Sequence, residues 1–143
     1  MELESVIRKI IFIEPKSPNL HIFSQFPLPR LGVFILGAIV KEKGWNAEVI
    51  VEQFQKIKFE KIRNVDRVEV STITPTAPRA YAIADRIRSL GIPVIIGGPH
   101  VTFLLEEVLV GFLESLDKGK YFSEVPNLSY QAEGKSIHNP VKP

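Results

Sequence analysis

The chain has 143 residues and a net charge of +2 from 18 basic and 16 acidic side chains, with 45% of residues hydrophobic and 24% charged. That balance excludes a disordered or fibrous chain, and at roughly 100–200 residues per domain it predicts one domain with one sizeable core. Zero cysteines exclude disulfides, thiolate metal sites, a cysteine nucleophile and any iron–sulfur cluster held by this chain.

Basic and acidic residues are well mixed, so the sequence pI of about 8.9 is no argument for nucleic acid. The longest apolar run, VFILGAIV at 33–40, falls far short of the ~20 residues of a membrane span. The start MELESV carries acids where a signal peptide carries bases. The expectation is a cytoplasmic protein with no membrane segment.

In chain order, residues 6–13 (VIRKIIFI) are rich in β-branched side chains and stop at Glu14-Pro15, which predicts a buried strand. Residues 15–30 (PKSPNLHIFSQFPLPR) form a proline-rich loop whose length points to function. Residues 31–43 (LGVFILGAIVKEK) have helical length and a wide apolar face, with Gly44 as a stop. Residues 46–52 (NAEVIVE) alternate like a half-exposed strand near an edge. Residues 53–64 are polar with irregular apolar spacing and predict a short, mostly exposed helix.

Residues 67–73 (RVEVSTI) predict a third strand, and residues 77–90 an amphipathic helix with Ala80, Ile83, Ala84, Ile87 and Leu90 at helical spacing. Gly91 ends it, and IPVII at 92–96 runs as a fourth strand into two glycines. The division expected is an α/β domain over 1–122 and a hairpin with a linker-like tail over 123–143, the hairpin turning at Glu133-Gly134.

Strand and helix alternate four times, which implies a doubly wound parallel sheet of flavodoxin-like or Rossmann-like type with helices on both faces. Ligands of such sheets bind outside the carboxyl ends of the strands, where the strand order switches. For the order 2-1-3-4-5 the loops concerned are the proline-rich one, STITPTAP at 71–78 and GGPH at 97–100.

Gly97 and Gly98 either admit a ligand close to bare backbone or make a tight strand-to-helix turn with positive φ. Ser71, Thr72, Thr74 and Thr76 put four hydroxyls in six residues; they suit a ligand's amides or phosphate, while Thr74 or Thr76 also suits an N-cap. His21 and His100 fall on loops at the same edge, where a solvated loop histidine is the plain alternative because no second ligand stands at metal-binding spacing. His138 is placed on the surface. Glu106 and Glu107 are adjacent on a helix and point to different sides, as a solvated face would. There is no nucleophile with a base, no P-loop and no GxGxxG, so the chain shows nothing of an independent enzyme.

The run EVSTITPTAPRAYAIADRIRSLGIPVIIGGPHVTFLLEEVL resembles the cobalamin (vitamin B12)-binding domain that precedes the catalytic barrel in many radical S-adenosylmethionine proteins. The likeness extends to VPNLSYQAEGKSIHNPVKP, which is similar to the hairpin and linker leading into the radical domain. It implies a base-off cobalamin whose nucleotide tail lies along Ser71, Thr72, Ile73 and Thr74, matching an SxL segment with isoleucine for leucine, and along Gly97, Gly98, Pro99 and His100, which hold the GG pair. It also implies a radical enzyme as partner or neighbouring domain, and no catalysis by this chain alone.

The DxHxxG element of the wider cobalamin-binding family is absent, since the first loop reads EPKSPNLHIF and His21 is out of its frame; that agrees with the radical-associated branch, which commonly lacks the histidine ligand. Two features depart from the family pattern. Only 11 residues, 97–107, separate the fourth strand from any strand starting at Val108, whereas a parallel crossover usually needs a dozen or more, so a missing or stunted fifth strand is expected. No three-cysteine cluster is present. An interaction module or degenerate remnant that no longer binds cofactor therefore stays open beside the corrinoid reading, as does a flavin or nucleotide-phosphate binder. An uncovered fourth-strand edge would favour a homodimer.

Overall fold

The computed structural model describes residues 8–18, 28–99, 123, 129–132 and 135–140. The chain divides into two compact units, Met1–Val101 and Thr102–Pro143. The first unit holds β1 (Lys9–Glu14), α1 (Leu31–Glu42), β2 (Asn46–Val51), a single turn α2 (Phe59–Ile62), β3 (Arg67–Ser71), a 3₁₀ turn (Thr74–Thr76), α3 (Ala77–Ser89) and β4 (Val94–Gly97). The second holds an antiparallel hairpin of β5 (Ser129–Ala132) and β6 (Lys135–His138), with Ala132 opposite Lys135.

All four strands of the first unit run parallel in the order β2-β1-β3-β4. Parallel strands at the centre of an α/β sheet are covered on both faces and read as continuous apolar runs. β1 obeys: Ile10, Ile11, Phe12 and Ile13 are all buried. Ile11 and Ile13 join Val68, Val70, Ala80, Ile83 and Ile87 in the core beneath α3. Alternation sends Phe12 to the opposite face, where it meets α1 at Gly37. Phe12 pairs with Glu69, Glu69 with Ile95 and Ser71 with Gly97, so these residues share the α1 face.

α1 packs through Val33, Leu36, Gly37 and Val40, the i, i+3, i+4, i+7 stripe of a sheet-facing helix. A Cβ on Gly37 would stand 3.2 Å from Val49 Cγ2, so glycine there sets how closely helix and sheet approach. The helix ends in a Schellman arrangement: Trp45 N–H donates to Val40 O at 3.2 Å and Gly44 N–H to Lys41 O at 3.0 Å, with Gly44 at φ +89°.

The elements expected from the sequence recur with shifted ends. The half-exposed second strand is indeed the edge strand β2. The third strand stops at Ser71 rather than Ile73, because the chain turns on Thr76: Thr76 N–H donates to Ile73 O at 2.9 Å. The fourth runs over Val94–Gly97 rather than 92–96, since Pro93 has no N–H for the ladder while its carbonyl accepts from Val68 N–H at 3.1 Å. Helix 53–64 shrinks to one turn: residues 52–54 form a turn closed by Phe54 N–H on Val51 O at 3.0 Å, and of the expected apolar positions Ile62 is fully buried. Residues 6–7, most of the proline-rich loop, the helix expected after Pro99, the fifth-strand question at Val108, Glu133-Gly134 and the 122/123 boundary lie outside the described residues.

Candidate functional site

Because β2 lies on one side of β1 and β3 on the other, the order switches between β1 and β3, and a crevice forms outside their carboxyl ends. Glu14 closes β1, Ser71 closes β3 and Gly97 closes β4. The strand ends therefore bring Ser71, Thr72, Gly97 and Gly98 together: Ser71 is in register with Gly97, and Thr72 N–H donates to Gly97 O at 2.8 Å. Ile73 is half-buried beside them, and Thr74 and Pro99 are exposed. His21 and His100 lie outside the described residues.

Much of what drew notice in the sequence is used internally. Gly98 sits at φ +98°, and a Cβ there would fall 2.3 Å from the Thr72 carbonyl oxygen. What approaches this glycine is thus the neighbouring loop of the same chain. The Thr72 and Thr76 hydroxyls stand 3.3 Å apart, and each lies 3.1 Å from the Ile73 carbonyl. Thr76 Oγ1 also accepts from Ile73 N–H at 3.1 Å. Thr76 holds the N-cap position of α3, yet its hydroxyl is turned back to the Ile73 N–H at the start of the 3₁₀ turn and makes no cap bond to α3.

Two charged groups that sequence reasoning passed over lie on the α1 face, Arg30 at this edge and Glu69 beneath it. Arg30, just before α1, is held on three sides: its backbone N–H donates to Glu14 Oε2 at 2.9 Å, its Nε stands 3.4 Å from Glu14 Oε1, and its Nη2 donates to Ser71 O at 3.3 Å. Its Nη1 is buried with no partner. Glu69, in the middle of β3, is fully buried, and neither carboxylate oxygen has a hydrogen-bond partner. Burial pushes its carboxyl up to about 8, with the Arg30 charge pulling the other way. The signal was present: a central parallel strand covered on both faces has no use for an acid, and Val-Glu-Val places Glu69 on the same face as Ser71.

On the other face of the edge, Lys16, Glu52, Lys56, Ile57 and Arg79 line an open cavity of about 280 Å³. Arg79 grips Glu52 through Nε, 3.1 Å from both carboxylate oxygens, and through Nη2 to Oε1. Lys16 N–H adds a bond to Glu52 Oε2 at 3.1 Å. Burial alone would push the Glu52 carboxyl up, but Arg79 and the Lys16 amide outweigh it and hold it below the usual range. The pair reads as a brace between β2 and α3. Among the described residues no three His, Cys, Asp or Glu side chains converge as a metal site, and no helix is long and apolar enough to cross a membrane.

Comparison with known proteins fits this architecture. The cobalamin-dependent S-adenosylmethionine radical enzyme OxsB, with aqua-cobalamin and S-adenosylmethionine bound, superposes with a TM-score of 0.70 at 19% identity, over 96% of this chain and 23% of that one. The chain shares its fold with that part of OxsB. Its apo form matches equally, with a TM-score of 0.71 at 19% identity over 96% and 22% of the two chains. In sequence, the bacteriochlorophyllide d C-8(2)-methyltransferase of Chlorobaculum tepidum is 33% identical over 85 residues, 59% of this chain and 18% of that protein. An uncharacterized methyltransferase of Pyrococcus horikoshii is 25% identical over 141 residues, 80% of this chain and 30% of that protein. No family model matches. The chain spans less than a third of the length of each of these proteins.

Proposed function

We propose that the chain is a cobalamin-binding-type domain of the kind associated with radical S-adenosylmethionine enzymes, non-catalytic by itself and working in the cytoplasm beside a radical domain or partner. The observation that carries this reading is the parallel sheet of order β2-β1-β3-β4, shared over 96% of the chain with an enzyme described as holding aqua-cobalamin, whose switch point faces Ser71, Thr72 and Gly97. Arg30, bonded to the Ser71 carbonyl at the same edge, partly exposed and with Nη1 lacking a partner, is a donor that suits a polar organic ligand. A base-off cobalamin would run its nucleotide tail past Ser71, Thr72, Ile73 and Thr74 on one side and Gly97, Gly98, Pro99 and His100 on the other. The chemistry that such a group supplies is methyl or electron transfer at cobalt; this chain's part is to hold and orient it.

The test is titration of the purified protein with hydroxocobalamin and methylcobalamin, read as the absorbance change that marks a base-off form. Saturable binding with that change is expected, and no binding at high micromolar concentration would overturn the reading.

A second reading has its own support. The Thr72 and Thr76 hydroxyls and the Gly98 backbone are already committed to contacts inside the chain, and α1 leaves Leu31 70% and Phe34 42% exposed. A flavodoxin-like interaction module that has lost its cofactor would look the same at these positions. Failure to bind any corrinoid, together with a stable dimer in solution, would favour it.

A further inference from the structure

We propose that the cavity lined by Lys16, Lys56 and Arg79 binds a phosphate group, free or carried by a small organic molecule. The inference goes beyond the corrinoid reading and does not rest on it. The cavity takes Arg79 from α3 and Glu52 from just past the end of β2, on the α3 side of the sheet, whereas Ser71 and Gly97 belong to the α1 side.

One buried carboxylate calls for one cation, and Glu52 has it. Its side chain is only 6% exposed. Its lone pairs are taken by Arg79 Nε on both oxygens, Arg79 Nη2 on Oε1 and the Lys16 backbone N–H on Oε2. The carboxylate therefore has no acceptor site left for an ammonium. Yet two ammonium side chains, Lys16 and Lys56, line the same cavity, and both residues are exposed to incoming ligand. Among the described residues neither makes an ion pair. Three cations against one carboxylate leave a net charge of +2 around an open concavity of about 280 Å³. Like charges gathered in this way repel one another, and the walls of a cleft focus their field on an anion that enters.

Two rivals fail on chemistry. A divalent cation would meet the net positive charge and find the Glu52 oxygens occupied. A planar carboxylate is best held by the two-pronged fork of an arginine, and Arg79 has turned Nε and Nη2 to Glu52. A tetrahedral dianion needs no fork, and compact ammonium charges on flexible stems suit it. The cavity approaches the size of a small-ligand site and has the half-buried Ile57 as an apolar wall, so it also admits part of an organic carrier.

The experiment is a titration of the full chain with inorganic phosphate, ribose 5-phosphate and acetate at fixed ionic strength, read as amide NMR shifts at residues 16, 52, 56 and 79. It is run on the wild type, Lys16→Gln, Lys56→Gln and the double variant, whose substitutions are at exposed positions and leave the fold intact. Saturable shifts with a Kd of about 1 mM or tighter are expected for phosphate, and binding at least about tenfold weaker for acetate, a comparison that needs no variant. Each lysine substitution should weaken phosphate binding about fivefold, and the double variant more. Tighter binding of ribose 5-phosphate than of phosphate would assign the site to a small organic phosphate, and equal or weaker binding would assign it to free phosphate. Three results would overturn the proposal: no saturation by either phosphate compound at about 10 mM, acetate binding as well as phosphate, or a double variant that binds phosphate like the wild type.

Discussion

Glu69 is the residue whose environment disagrees most with its type, and its pH behaviour follows from that. Its carboxyl is pushed from an ordinary 4.5 up to about 8 by burial, so the folded state holds its proton across a range where the unfolded chain releases it. Stability is full below the unfolded value and is lost as pH rises towards about 8, at about 1.4 kcal/mol per pH unit. Glu69→Gln removes this slope. Denaturant unfolding of both proteins at pH 5 and pH 8.5 should show the variant's advantage growing with pH, and parallel pH profiles would contradict the assignment. Gly98 behaves oppositely, as a position that tolerates no side chain. With φ at +98° and Thr72 O 2.3 Å from a would-be Cβ, Gly98→Ala should cost at least ~2 kcal/mol whether or not a ligand is present. A variant at Gly98 that lost binding would therefore report the fold. The glycine pair was legible in the sequence as a tight place, but which object crowded it was not, since a neighbouring loop and a ligand leave the same mark. Glu69 was legible as an acid between valines and was passed over.

At the level of elements, periodicity carried most of the information. α1 and α3 fall where apolar spacing placed them because each buries a stripe against one face of the sheet, and the glycines Gly44 and Gly91, both at positive φ, stop them. The segment after β2 was harder: Ile62 is buried and Ile57 and Phe59 pack against the core, but these apolar residues have no helical register to hold a longer helix. The two sides of α1 make a direct prediction. Gly37→Val would drive methyl groups into Val49 and should destabilise by roughly 1–3 kcal/mol. Phe34→Lys, on the exposed side, should change stability by less than about 0.5 kcal/mol. Thermal unfolding of the two variants checks the contrast. A large loss from Phe34→Lys would mean that the outer side of α1 is covered in solution, and sedimentation would then show whether a second copy covers it.

For the whole molecule, the sheet order was legible because four alternations of strand and helix leave few topologies once crossovers must be right-handed. The likeness to a cobalamin-dependent enzyme was legible in STI and GGPH, and the shared fold agrees with it. Binding itself is a different matter, because fold does not fix function and much of the strand-end chemistry is engaged within the chain. The central claim is that this edge still takes a corrinoid. Sedimentation of the protein with a slight excess of hydroxocobalamin, followed at both protein and corrinoid wavelengths, tests it most directly. The account predicts about one corrinoid travelling with each chain, as expected of a single switch-point site. A corrinoid signal that stays behind while the protein sediments intact would contradict it.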